Sequence, residues 1–251
     1  MTTERPAMYH EFAEWFHLLT APADYEEEAT FYFKNIVETL GRKPTSWLEL
    51  GSGGGNNASH YSPWVEGEVV LVDRSEEMIA LSKTINPTLE HVLGNMLTVR
   101  LGRTFDVVFV HDAAAYLTTE AEIRQLAETA FVHCNRGGAV MICPDHTAES
   151  MIYETDHGGH DGDGRAMRYL EWSTPGSPGT YEYVVDYAYI YHEDGKPPRM
   201  AHDRHVNGAL PRQMWLDALT GAGFANADWT PLIHSEVEPE HYEVFIAQRP
   251  E

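Results

Sequence analysis

Apolar residues recur along the chain in two rhythms, one helical and one of short runs. Met8, Phe12, Trp15, Phe16 and Leu19 share one helix face, and Tyr25, Ala29, Tyr32, Ile36 and Leu40 repeat that spacing between Pro22 and Gly41. Two helices are therefore predicted ahead of the first strand. Short apolar runs follow at 46–51, 68–73, 89–95, 105–112 and 138–145, apolar on both faces as buried parallel strands are. Helices are predicted between them at 75–83 and at 119–133, the latter with Thr118 or Thr119 as N-cap. Strand and helix alternating in this way predict an α/β fold, a parallel sheet doubly wound with helices on both faces.

After Asp145 the rhythm changes. The stretches TDHGGHDGDGR (155–165) and STPGSPGT (173–180) read as loops, and RAMRYLEW, YEYVVDYAYIY and RMAHDRHV as alternating, antiparallel strands inserted as a cap. In the second of these, Tyr181, Tyr183, Val185, Tyr187, Tyr189 and Tyr191 share a face, which fits either a substrate wall or an interface or core. PRQMWLDALTGAGF is a helix with Pro211 near its start and Gly221 or Gly223 at its end, and a closing hairpin follows. The organisation expected is one domain over 1–251: an N-terminal helical segment (1–41), a core (42–146), the β cap (147–210), and a C-terminal helix and hairpin (211–251).

Composition narrows the partners. With 17 Lys and Arg against 39 Asp and Glu, the formal net charge is -22, which repels polyphosphates, so no nucleic-acid partner is expected. No apolar stretch reaches the roughly 18 residues of a membrane span, and the N-terminus has no secretory h-region, so a cytoplasmic protein without a membrane partner is expected. Cys134 and Cys143 lack zinc spacing and read as buried hydrophobes.

The chemistry concentrates in WLELGSGGGNN (47–57), a strand running into a glycine cluster. A dinucleotide turn G-x-G-x-x-G counted from Gly51 through Gly53 needs glycine at 56, where Asn56 stands; a P-loop needs a Gly-Lys-Ser/Thr that is absent from the segment. What remains is E-x-G-x-G-G-G after the first strand, Asp73 ending the second and Gly94-Asn95-Met96 after the third.

In these motifs the sequence resembles the class I S-adenosylmethionine-dependent methyltransferases of small-molecule type, among them the aminosugar and amine N-methyltransferases of antibiotic pathways. The resemblance covers 45–146 continuously, and 211–249 fits the same fold. It implies a Rossmann-like seven-stranded sheet with its last strand antiparallel, and an N-terminal helical lid. S-adenosylmethionine becomes the expected cofactor. Carried over onto this chain, Glu49 meets its ammonium group, Gly51 and Gly53 admit it against bare backbone, and Asp73 takes the ribose hydroxyls. Arg74 lies beside that contact, Met78 packs by the adenine, and Asn95 and Met96 border it, Asn95 standing where the family often has Asp.

Methyl transfer needs alignment of the acceptor and an unprotonated nucleophile. His111, ending the fourth strand, is a candidate base or orienting group, or simply a hydrogen-bonding partner of the cofactor; Asp112 accompanies it. Tyr9 is expected to close on the sulfonium, and Tyr116 either faces the same pocket or caps the next helix. Phe16, Asp112, His157, His160 and Tyr183 are candidate substrate contacts. His157, His160, Asp161 and Asp163, and His202, Asp203 and His205, form polar clusters without metal-site spacing, and read as an active-site rim with no metal. The acceptor expected is a small amine, with a hydroxyl close behind; a nicotinamide-dependent oxidoreductase and a non-catalytic nucleotide-binding regulator are the remaining alternatives. A homo-oligomer through the cap completes the expectations.

Overall fold

The computed structural model describes residues 6–235 and 242–251, so the first five residues of the expected N-terminal segment lie outside the described residues. The chain begins with 3-10 turns at Ala7–Tyr9 and Ala13–Trp15, the single-turn helix α1 (Phe16–Leu19), a further 3-10 turn at Pro22–Tyr25 and α2 (Glu26–Leu40). Next come β1 (Ser46–Leu50), α3 (Asn56–Tyr61), a 3-10 turn at Ser62–Trp64, β2 (Glu68–Asp73), α4 (Glu76–Ile85) and β3 (Glu90–Leu93). β4 (Phe105–Val110), a 3-10 turn at Asp112–Tyr116, α5 (Glu120–His133) and β5 (Cys134–Ile142) follow. The insertion holds β6 (Thr155–Gly158), β7 (Asp161–Gly162), β8 (Arg165–Pro175), β9 (Glu182–Glu193) and β10 (Arg199–Gly208), and the chain closes with α6 (Arg212–Ala222), β11 (Ala225–Pro231) and β12 (Glu243–Gln248).

The seven-stranded sheet runs β3-β2-β1-β4-β5-β12-β11. β1, β2, β3, β4 and β5 pair in parallel, and only β12 is antiparallel to its neighbours β5 and β11, as the resemblance implies. β1 and β4 are buried along their whole length because helices cover both faces. Leu126, Trp215 and Leu219 of α5 and α6 pack on one face, and Ile36, Ala58 and Tyr61 of α2 and α3 on the other. Local signals set the ends: Gly41 leaves α2 at φ 66°, and Thr119 and Glu122 form a reciprocal capping box on α5.

Two sequence expectations are corrected. The single helix over 8–19 is broken into turns, because the segment bends across the cap: Met8 and Trp15 are buried against Met167, Tyr189 and Tyr191, and the Ala7 and Met8 N–H groups donate to Asp203. The stretch 155–165 is not all loop, since β6 and β7 pair with β8.

Asp106 fixes the opening of β4. It takes a bidentate pair from Arg42 (2.8 Å each) and further bonds from the Thr45 N–H, the Thr45 hydroxyl and Asn135. Arg42 leads these in holding the Asp106 carboxyl well below the usual carboxylate range. A depressed carboxylate stabilises the fold above its unfolded pKa, and that contribution fades as pH falls through the folded value. Asp106→Ala is expected to cost about 2–3 kcal/mol in urea unfolding near neutrality, and less in acid.

Candidate active site

The sheet order reverses between β1 and β4, which lead outward to β2 and β5, so their carboxyl ends open a crevice where open α/β sheets bind ligands. A cavity of about 1470 Å³ opens there, roofed by the cap and the N-terminal segment. It is lined by Tyr9, Phe16, Glu49, Gly51, Gly53, Asp73, Arg74, Asn95, Met96, His111, Asp112, Tyr116 and Tyr183 among the expected site residues. Met78, His157 and His160 are outside this lining. Met78 is fully buried at the start of α4, where its N–H donates to the Ser75 hydroxyl. His157 lies exposed on β6, and His160 pairs with Asp24 at 2.9 Å.

The glycine turn is shaped by contact as well as by backbone angle. Gly51 has φ 79°, and a Cβ there would come within 2.2 Å of the Ala113 Cβ; one on Gly53 (φ 51°) would meet open space. Asp73 is held at the end of β2 by N–H donors from Gly53 and Ser75, both at 2.8 Å, with the Arg74 N–H beside them, and the carboxylate still has acceptor capacity toward the cavity. The Ser52 hydroxyl between these glycines is buried without a hydrogen-bond partner. Glu49 accepts from Tyr61 at 2.5 Å, and burial pushes its carboxyl up to about 7 despite that bond. A partnerless hydroxyl, two bare glycines and two carboxylates suit a ligand carrying an ammonium and hydroxyls rather than phosphates.

His111 is nearly enclosed. Nδ1 lies 2.8 Å from Asp112, and Nε2 lies 3.0 Å from the Tyr32 hydroxyl and 3.4 Å from Glu28. Burial alone would lower its pKa, but Asp112 and Glu28 outweigh burial and carry it well above the ordinary value. Asn57 also approaches Nδ1, at 3.1 Å.

A second polar chain joins the roof to the floor. Tyr9 and Tyr116 hydroxyls are 2.7 Å apart, the Tyr116 hydroxyl is 2.8 Å from His205 Nδ1, and His205 Nε2 is 3.1 Å from Asp203. The tyrosine face of β9 divides: Tyr189 and Tyr191 pack on the N-terminal segment, whereas Tyr183, Val185 and Tyr187 line the cavity. Sequence reasoning placed Asp203 and His205 only in a rim cluster and passed over Glu28, Tyr32 and Asp145. The alternation of Asp203 and His205 on one strand was the available signal; Asp145 had one too, closing an apolar run as His111 does. Among the described residues, no group of three or more His, Cys, Asp or Glu side chains is placed to hold a metal, and no helix is long and apolar enough to cross a membrane.

Residues 48–138 match the family described as a methyltransferase domain. No curated protein sequence matches the chain. Among solved structures, DesVI of Streptomyces venezuelae superposes with a TM-score of 0.83 at 20% identity, over 96% of this chain and 98% of that one. The sugar N-methyltransferase KedS8 of Streptoalloteichus gives 0.82 at 19% identity, over 100% and 96%. CalS10, an amino pentose methyltransferase of Micromonospora echinaspora, gives 0.75 at 20% identity, over 90% and 91%. At such identity the likeness carries the fold. Residues 48–138 therefore carry a methyltransferase domain, on a fold that the whole chain shares with these sugar-modifying methyltransferases.

Proposed function

We propose that the protein methylates an amine nitrogen of a small molecule in a secondary-metabolite (antibiotic) pathway of the cytoplasm. The observation that carries this reading is the charge of the acceptor half of the cavity. Asp112, Glu154, Asp156 and Glu182 line it, together with Asp145 and Glu171, whose carboxyls burial pushes up and an arriving cation would draw back down, which favours a cationic amine over an anion. KedS8 and CalS10, which share the fold, are described as acting on sugars, the first at nitrogen and the second as an amino pentose enzyme.

When bound, S-adenosylmethionine supplies an electrophilic methyl group on its sulfonium. In this reading Glu49 holds the cofactor's ammonium, Asp73 the ribose hydroxyls, and Arg74, Asn95 and Met96 the adenine side. His111 with Asp112 orients the methionine end as a cation, and the hydroxyls of Tyr9 and Tyr116 meet the acceptor. The experiment is a panel of amino sugars and other amines, each beside its hydroxyl analogue, assayed with cofactor labelled in the methyl group. Label is expected on amines; transfer only to the hydroxyl analogues would make the enzyme an O-methyltransferase.

The Glu49 contact has its own pH signature. Below about 7 the ligand-free carboxyl is protonated, so taking up an ammonium there must expel a proton. S-adenosylhomocysteine is expected to bind more tightly as pH rises through about 7, with proton release read by calorimetry in buffers of different ionisation enthalpy. Glu49→Gln is expected to flatten that profile, and a flat profile in the unaltered protein would remove Glu49 from the contact.

A homo-oligomer is assigned to the outer face of the cap, where Leu170, Trp172, Ile190 and Met200 are exposed and a second copy of this chain would cover them. Sedimentation is expected to give a dimer that Trp172→Glu dissociates.

A further inference from the structure

We propose that Asp203, His205 and Tyr116 form a proton relay ending on the Tyr9 hydroxyl, through which the acceptor ammonium is deprotonated, with Asp203 and His205 as positioning residues behind the two tyrosines. The inference rests on the amine reading above and extends it to residues outside the cofactor contacts.

The relay spans three elements that meet only in the folded chain. Asp203 and His205 alternate on β10 and so face the same side; opposite them on β9 stand Tyr187 and Val185, on the inward face of the cap. Tyr116 comes from the 3-10 turn after β4 and Tyr9 from the N-terminal segment. Asp203 is 7% exposed and His205 4% exposed, so a bond left unmade here carries a full desolvation cost.

The direction of the hydrogens follows from the far end. Asp203 accepts from the Ala7, Met8 and Arg204 N–H groups. Burial would raise its pKa, but His205 and the Ala7 and Met8 N–H groups outweigh burial and hold it at about 2. An ionised carboxylate offers no hydrogen, so the hydrogen between it and His205 belongs to Nε2. In the neutral ring that the relay requires, Nδ1 is the acceptor, Tyr116 donates to it, and Tyr9 donates to Tyr116. The Tyr9 oxygen is left with lone pairs for the cavity it lines, which suits the N–H of an ammonium.

In the step itself, the acceptor ammonium gives one proton to Tyr9, Tyr9 passes its own to Tyr116, and Tyr116 passes its own to His205 Nδ1. The ring becomes an imidazolium against Asp203. The nitrogen pair so freed forms the new N–C bond as the methyl–sulfur bond breaks, its electrons remaining on sulfur. The imidazolium returns its proton to solvent between turnovers. The titratable and charged groups facing His205 are Asp203 on its own strand, Tyr187 on β9 with Glu171 of β8 behind it, Tyr116 and Tyr9.

The deciding experiment is nitrogen NMR of the histidine rings in the full chain saturated with S-adenosylhomocysteine. The His205 signals, assigned by their loss in His205→Gln, are expected to show hydrogen on Nε2 and none on Nδ1, and Tyr116→Phe to shift Nδ1. Hydrogen on Nδ1 would overturn the relay, since Tyr116 could not donate to it. A second reading uses any amine of the panel that is methylated. His205→Gln is expected to lower kcat about 100-fold near neutrality, with the loss shrinking as rising pH deprotonates the acceptor in solution. Asp203→Asn, which keeps an oxygen for the Ala7 and Arg204 N–H groups but loses the one that serves Met8 and His205, is expected to do the same more mildly. Equal losses at every pH in both variants would mark a structural role and overturn the proposal. If no amine is methylated the amine reading fails and the ammonium step with it, while the position of the His205 hydrogen still decides the direction of the Tyr9–Tyr116–His205 chain.

Discussion

Asp73→Ala is expected to weaken binding of S-adenosylhomocysteine by about 100-fold or more in calorimetry, because the proposed pair of ribose bonds to a charged acceptor, each about 1.5–3 kcal/mol, would disappear together. The loss has a second source within the protein. Asp73 also takes the Gly53 and Ser75 N–H groups, so its removal frees the glycine turn and the first turn of α4 from the end of β2. Asp73→Asn separates the two effects. Its amide oxygen can still accept from one N–H, yet it offers the ribose one acceptor instead of two, so a loss of about tenfold is expected with little change in melting temperature. Affinity within threefold of the unaltered protein in Asp73→Ala would mean that the cofactor does not reach the end of β2.

Gly51→Ala is expected to abolish cofactor binding and lower the melting temperature by about 5–10 °C, as a cost of about 3 kcal/mol would do in a chain of this size. Two costs combine at this position. A φ of 79° is strained for any residue with a Cβ, and that Cβ would lie 2.2 Å from the Ala113 Cβ. Relief requires moving the 3-10 turn Asp112–Tyr116, which carries a carboxylate against His111 and one of the two paired hydroxyls. Adding Ala113→Gly should recover part of the stability, because it removes the collision and leaves the backbone strain. Normal cofactor affinity in Gly51→Ala alone would show that the turn has more freedom than its contacts imply.

The parallel half of the fold was legible because each strand there is an apolar run closed by its own turn chemistry. Asp73, Gly51 and Gly53 follow their strands directly, so local reading put them at the carboxyl edge where the cavity opens. The N-terminal segment was misread for a reason that local reading cannot see. Its apolar spacing is helical, but its first N–H groups end on Asp203 and its apolar face lies on the cap, so tertiary contacts replaced the regular helix. The Gly- and Asp-rich stretch 155–165 has no alternation, and its strands are set by backbone pairing to β8. Glu28 and Tyr32 reach His111 from a helix far earlier in the chain, and helix spacing says nothing about which strand end lies beneath it. His205 was visible as a residue but not as a partner of Tyr116, since that contact depends on how the inserted sheet folds back over the core.

The bonds from Ala7 and Met8 to Asp203 join positions 196 and 195 residues apart. During synthesis the segment of Ala7 and Met8 emerges well before the cap, yet its anchor belongs to the last cap strand to be made. The Rossmann-like sheet can begin to assemble while the opening residues still have nowhere to dock. The segment made before the sheet thus comes to rest after much of that sheet exists, and the cavity acquires its roof only when the last cap strand is in place.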